Sequence, residues 1–124
     1  MKDRLYFDTN YLFRLYSTEQ GAKEVQFLIQ QAEWVATASH GRAEMATILL
    51  RKRRESGLTL QAAMEIRAQF REDVEAGLIR LLPLSDAVLE RLEQVLDRAP
   101  ASTFIRAGDA LHLACVGDFG VAGD

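Results

Sequence analysis

Three short apolar runs, each followed by a stretch with helical periodicity, constrain this chain more than any other feature. Residues 5–7 (Leu5-Tyr6-Phe7), 34–38 (Trp34-Val35-Ala36-Thr37-Ala38) and 78–84 (apolar except for Arg80) are too short for buried helices and read as strands. A helical stretch from about residue 10 to 16 follows the first run. An amphipathic helix over residues 21–32 comes next, with Val25, Leu28, Ile29 and Ala32 recurring at i, i+3, i+4 and i+7. After the second run, Ser39 is the expected N-cap of a helix that Gly57 ends. The pattern there sets Ala43, Ala46, Thr47 and Leu50 on one side, with Met45, Ile48 and Leu49 widening the stripe. Thr59 opens another helix, with Ala63, Ile66, Phe70 and Val74 inward and Gly77 as its stop. Ser85 opens a helix carrying Val88, Leu89, Leu92, Val95 and Leu96, and Pro100 closes that segment. A short apolar helix over residues 109–116 is the last element. Strands alternating with helices predict an α/β fold, a mostly parallel central sheet with helices on both faces. In such sheets ligands bind beyond the carboxyl ends of the strands. The residues that follow each strand are therefore the ones to weigh for function.

Composition narrows the classes. A chain of 124 residues suits one domain, and 48% hydrophobic with 27% charged residues is enough for a core and a soluble surface, which excludes disorder. No repeat, linker or second domain is visible. Cys115 is the only cysteine, which excludes an internal disulfide framework and a cysteine-based zinc cluster. No apolar run approaches the roughly 20 residues that span a bilayer. The start, Met1-Lys2-Asp3-Arg4, lacks the apolar core of a signal peptide, so a reducing cytoplasm is the expected compartment. Fifteen basic residues against 18 acidic ones argue against a general nucleic-acid coat. They leave room for an enzyme that sets carboxylates around a metal and holds phosphates on a separate basic patch.

The carboxylates fall where such a site belongs. Asp8 ends the first strand region, Glu44 opens the helix after the second, and Asp109 opens the last helix just after Gly108. Acids also serve as turn and cap residues, so position alone is a weak signal. Three anionic groups in one small concavity repel one another and stay ionised only beside a cation. An all-oxygen set suits a hard ion, Mg²⁺ or Mn²⁺.

Phe7-Asp8-Thr9-Asn10 resembles the opening of PIN-domain nucleases, as in the VapC toxins of type II toxin–antitoxin pairs. Ser39 with Ala43-Glu44-Met45, and Gly108-Asp109-Ala110-Leu111-His112-Leu113-Ala114, match the same family, the latter being the most specific segment. The resemblance runs from Leu5 to about Val116. It implies a PIN-like αβα sandwich over residues 1–124 and a Mg²⁺- or Mn²⁺-dependent endoribonuclease that cuts structured cellular RNA. It further implies a VapB-like antitoxin as partner and pairing into a homodimer. It implies catalytic and metal-holding roles for Asp8, Glu44 and Asp109, with Thr9, Asn10 and Ser39 orienting those carboxylates. The family carries a fourth acid at the end of a last strand. Here residues 117–123 hold three glycines, so that strand region is shortened, with Asp124 as the candidate fourth acid and Asp118 the poorer one.

Other features admit two readings each. Arg42 and Arg106 lie closest in sequence to the carboxylates and are candidates for RNA phosphate contacts. The run Arg51-Lys52-Arg53-Arg54 either complements a helix C-terminus or holds phosphates. His112 reads as a partly buried, hydrogen-bonded histidine rather than a ligand, and His40 as a phosphate contact. Tyr11, Phe13 and Tyr16 either stack on bases or, the reading preferred, belong to the core or face a partner. Two other functions compete. One is a catalytically degenerate PIN-like module that only binds antitoxin or RNA. The other is a phosphoryl-transfer domain of phosphatase or receiver type, against which stand Asn10 in place of a second aspartate and the lack of lysine after Lys52.

Overall fold

The computed structural model describes residues 3–17 and 21–119. Within them, β1 (Asp3–Tyr6), β2 (Ala32–Ala38) and β3 (Ile79–Leu82) form one parallel sheet in the order β1-β2-β3. Tyr6 pairs with Ala36, and Ala38 with Leu82. The ladder continues past the strands, as Phe7 N–H donates to Ala36 O (3.0 Å) and Ser39 N–H to Leu82 O (2.7 Å). The segments that follow β1 and β2 therefore emerge along one edge of the sheet.

Each parallel step needs a crossover. The first carries α1 (Thr9–Phe13), a 3-10 turn over Arg14–Tyr16, and α2 (Ala22–Gln31); the second carries α3 (Gly41–Glu55) and α4 (Leu60–Glu75). Two right-handed crossovers stepping the same way across a sheet lie on the same face. The main core agrees: Leu12, Phe13, Val25, Met45 and Phe70 pack on Val35 and Ile79 of the sheet. After β3, α5 (Asp86–Arg98) and α6 (Ala107–Phe119) cover the other face. There Ala38, Val88, Ala114 and Cys115 form a smaller cluster beside Tyr6, Leu84 and Leu92. Alternation along β2 sends Val35 to one core and Ala38 to the other. The result is the expected αβα sandwich. Among the described residues no helix is long and apolar enough to cross a membrane.

Local chemistry explains most boundaries. Thr59 Oγ1 accepts from Ala62 N–H (3.1 Å) and Ser85 Oγ from Val88 N–H (3.3 Å), so both cap their helices as expected. Gly77 takes φ +82°, and Leu78 N–H reaches back to Asp73 O (2.9 Å), the six-to-one bond of a Schellman stop. That backbone conformation favours glycine.

The start of α3 departs from expectation. Ser39 stays in the strand ladder, and the N-cap is His40, in a helical conformation with no side-chain cap bond. The buried stripe also differs. Gly41, Met45, Ile48 and Leu49 face inward, whereas Ala43, Ala46, Thr47 and Leu50 are exposed. Both sets satisfy the helical period. The rotation that hides the larger side chains buries more apolar area, at about 25 cal/mol per Å², and therefore wins. On α5 only Val88 is fully buried and Leu92 partly so; Leu89, Val95 and Leu96 remain 40%, 42% and 37% exposed. Helix α6 begins at Ala107, earlier than its apolar pattern suggests, and runs to Phe119.

Candidate metal centre

Asp8 follows β1 by two residues and is the N-cap of α1. Its Oδ1 accepts from Tyr11 N–H at 2.8 Å, which fixes the carboxylate at the edge of the sheet. The exposed N–H groups of the α1 start also favour the negative charge there.

Glu44 projects from the first turn of α3. Its Oε1 accepts from Thr9 Oγ1 (2.8 Å) and lies 2.6 Å from His112 Nε2 and 3.3 Å from His40 Nε2. Its Oε2 leans over Gly108, where a Cβ would come within 2.7 Å of it. Any larger residue at position 108 would push the carboxylate aside, which gives the glycine before Asp109 a steric reason. Burial alone would raise the Glu44 carboxyl. The hydrogen bonds from His112 and Thr9, with the positive charge that His112 and His40 can carry, outweigh it and hold the group below the usual range. Glu44 is thus kept as an anion.

Asp109 stands in the first turn of α6. With Asp8 and Glu44 it lines one polar concavity of 340 Å³, which Thr9, Asn10 and Arg106 also line. Three elements far apart in sequence bring their carboxylates to this concavity. They do not form the tightest ligating group, however. Among the described residues, the group of three whose ligand atoms lie within 4.8 Å of one another is His40, Glu44 and His112.

Two of the residues expected at the site lie elsewhere. Ser39 and Arg42 line a neighbouring cavity of 620 Å³ between α3 and α4, together with Arg67 and Arg71. Ser39 leaves the strand towards that side, and the late start of α3 carries Arg42 with it. Asp124 lies outside the described residues, as does the side chain of Asp118.

Sequence reasoning missed two participants. Arg51, considered only as part of a basic run, lines the carboxylate concavity. Tyr6 lies with its hydroxyl 2.6 Å from His112 Nδ1, across 106 residues of chain. His112, expected as a partly buried and hydrogen-bonded histidine, is indeed so placed: it is 6% exposed, in the space between Tyr6, Thr9 and Glu44. Strand alternation was the available signal for Tyr6, since it points away from the face that takes Leu5.

The donor set fits a hard divalent ion. Mg²⁺ takes one or two carboxylates and completes an octahedron with water. Asp8 and Asp109 supply carboxylates on an open polar concavity, and Glu44 Oε2 is the oxygen not engaged by Thr9 or His112.

A parallel sheet with carboxylates gathered at its carboxyl edge places a candidate metal site where ligands bind in folds of this kind. The chain belongs to the PIN domain family, whose model matches residues 5–120; its members are generally nucleases. A solved structure with the same fold is that of VapC20 from Mycobacterium tuberculosis, described as a sarcin–ricin loop-cleaving toxin. The two superpose with a TM-score of 0.70 at 20% identity, covering 94% of this chain and 84% of that one. No curated protein matches the chain in sequence.

Proposed function

We propose that this protein is a VapC-type toxin, an endoribonuclease that uses Mg²⁺ or Mn²⁺ to hydrolyse phosphodiester bonds of structured RNA in the cytoplasm. The observation that carries the reading is the concavity shared by Asp8, Glu44 and Asp109, with Arg51 and Arg106 on its lining. PIN family membership and the fold it shares with VapC20 support it.

Asp8 and Asp109 would hold the ion, with Glu44 Oε2 completing the anionic wall. A divalent ion in such a place lowers the pKa of a bound water and neutralises a phosphoryl oxygen. The protein's own part is to position the phosphate. Arg51 and Arg106 place guanidinium groups at the same concavity, where they hold the RNA backbone without reading bases. Glu44, held ionised, is a poor proton acceptor at neutral pH and acts as fixed negative charge rather than as a base.

Two partners follow from the same reading. A cavity of 600 Å³ lined by Phe13, Leu58 and Ile66 offers an apolar seat for an antitoxin segment of the VapB kind. The exposed Leu89, Val95 and Leu96 of α5 suit a second copy of the chain in a homodimer.

The test is Mg²⁺-dependent cleavage of a structured RNA hairpin by wild type and Asp8→Asn. Asparagine is as good an N-cap as aspartate, so the variant keeps α1 while losing the charge. Cleavage is expected to fall by roughly a hundredfold or more, as a loss of several kcal/mol of metal-assisted stabilisation dictates. Undiminished cleavage in the folded variant would remove the assignment.

A further inference from the structure

The imidazoles beside Glu44 serve the chemistry above only by keeping that carboxylate ionised, yet with it they form the tightest ligating cluster among the described residues. Donors bound to one Zn²⁺ at about 2.0–2.1 Å in a tetrahedron sit roughly 3.4 Å apart. Glu44 Oε1 lies 3.3 Å from His40 Nε2 and 2.6 Å from His112 Nε2, and the two rings are 4.4 Å apart between centroids. Small side-chain rotations bring all three atoms onto one ion. We propose that His40 Nε2, Glu44 Oε1 and His112 Nε2 form a binding site for a borderline divalent cation of the Zn²⁺ type, distinct from the Asp8–Asp109 side of the concavity.

The chemistry of the donors selects the ion. Two nitrogen ligands and one carboxylate suit Zn²⁺, Fe²⁺, Co²⁺ or Ni²⁺, whereas Mg²⁺ prefers oxygen alone. The surroundings prepare His112 for the role. The Tyr6 hydroxyl lies 2.6 Å from His112 Nδ1, so when Nε2 gives up its proton and takes an ion, Nδ1–H can donate to the phenol oxygen. A hydrogen bond at one ring nitrogen turns the lone pair of the other towards the ion, the usual way a metal-binding imidazole is fixed. His40 Nε2 lies 3.1 Å from Gly108 O, a bond that coordination exchanges for the metal. His40 Nδ1 is buried with no hydrogen-bond partner, so no contact on that side holds the ring to one tautomer. The ion would sit where α3 and α6 meet, tying Asp109's helix to Glu44's.

This site can be tested without RNA, so its failure and that of the nuclease reading are distinguishable. Tag-free full-length protein is titrated with Zn²⁺ by calorimetry and with Co²⁺ as a coloured probe. Zn²⁺ is expected to bind more tightly than Mg²⁺, and Co²⁺ to show the visible absorption of an imidazole-containing site. His40→Gln is expected to weaken Zn²⁺ binding by at least about tenfold, and Tyr6→Phe by about tenfold through lost ring orientation. Asp8→Asn and Asp109→Asn should leave it within about threefold, as changes outside the ligand set do. His112 is buried and its replacement risks unfolding, so His40→Gln, checked by circular dichroism, carries the decision. Unchanged Zn²⁺ affinity in folded His40→Gln, loss of binding in Asp8→Asn or Asp109→Asn, or Zn²⁺ no tighter than Mg²⁺ would each overturn the proposal.

Discussion

The two faces of the sheet are built from different material. On one, α1 to α4 bury large side chains: Leu12, Val25 and Met45 are essentially inaccessible, and Phe7, Phe13 and Phe70 pack among them. On the other, α6 meets the sheet through Ala114 and Cys115 and α5 follows through Val88, with apolar side chains left outside. Small residues let α6 approach β2 closely, and that closeness delivers His112 into the space beside Glu44. The thick face holds the fold, and the thin face delivers half of the site. Asp8 and Glu44 come from the first, Asp109 and His112 from the second, and the concavity lies on the seam.

The largest effect expected from this contrast is in the cores. Leu12→Ala removes a fully buried side chain from the thick face and should cost about 3–5 kcal/mol. Val88→Ala on the thin face removes two methyl groups and should cost about 1.5–2.5 kcal/mol. Urea unfolding measures both, provided the dependence on denaturant stays unchanged. Equal or reversed costs would show that the thin face carries the fold as much as the thick one.

A smaller effect separates the faces by pH. On the thick face, burial first, then the bond to the Asp73 carboxylate (2.5 Å) and its charge, push the Tyr16 phenol well above its ordinary value. The folded state thus keeps a proton that the unfolded chain releases near pH 10. The stabilisation is complete below that pH and is lost as pH rises beyond it towards the raised folded value. Tyr16→Phe should cost about 1 kcal/mol near neutrality, the worth of one hydrogen bond. It should also flatten the alkaline decline in stability, measured by urea unfolding across the alkaline range. A decline as steep as wild type would leave Tyr6, the buried phenol beside the thin face, as its source.

Much of this was legible because strands and their following acids are local features. Asp8, Glu44 and Asp109 could be placed on one edge by counting strands, and the caps at Thr59 and Ser85 by residue type. What escaped required knowledge of packing. On α3 two stripes fit one period, and side-chain volume, which a polarity pattern does not weigh, decided for Met45, Ile48 and Leu49. Ser39 has the chemistry of a cap but is held in the ladder by Leu82 O, a partner 43 positions away. The Tyr6–His112 contact spans most of the chain, and nothing in either neighbourhood announces the other. The two-histidine-and-glutamate logic of a metal site was likewise hidden, since His40 and Glu44 are neighbours on a helix while His112 arrives from another.

The smallest expected effect sharpens the contrast most. Leu89 and Leu96 lie seven residues apart on α5, 40% and 37% exposed, along the outer edge of the thin face. If the thin face leaves them for a second copy of the chain, Leu89→Lys with Leu96→Lys should change the folding stability of the monomer by no more than about 0.5 kcal/mol per site. If that surface does pair two copies, sedimentation should show self-association in the wild type and none in the double variant. A comparable charge at Leu49 on the thick face, 4% exposed, would bury an unpaired ammonium and unfold the protein. A loss of several kcal/mol from the α5 pair would mean that these leucines already belong to the core, and that α5 is a closed layer rather than an interface.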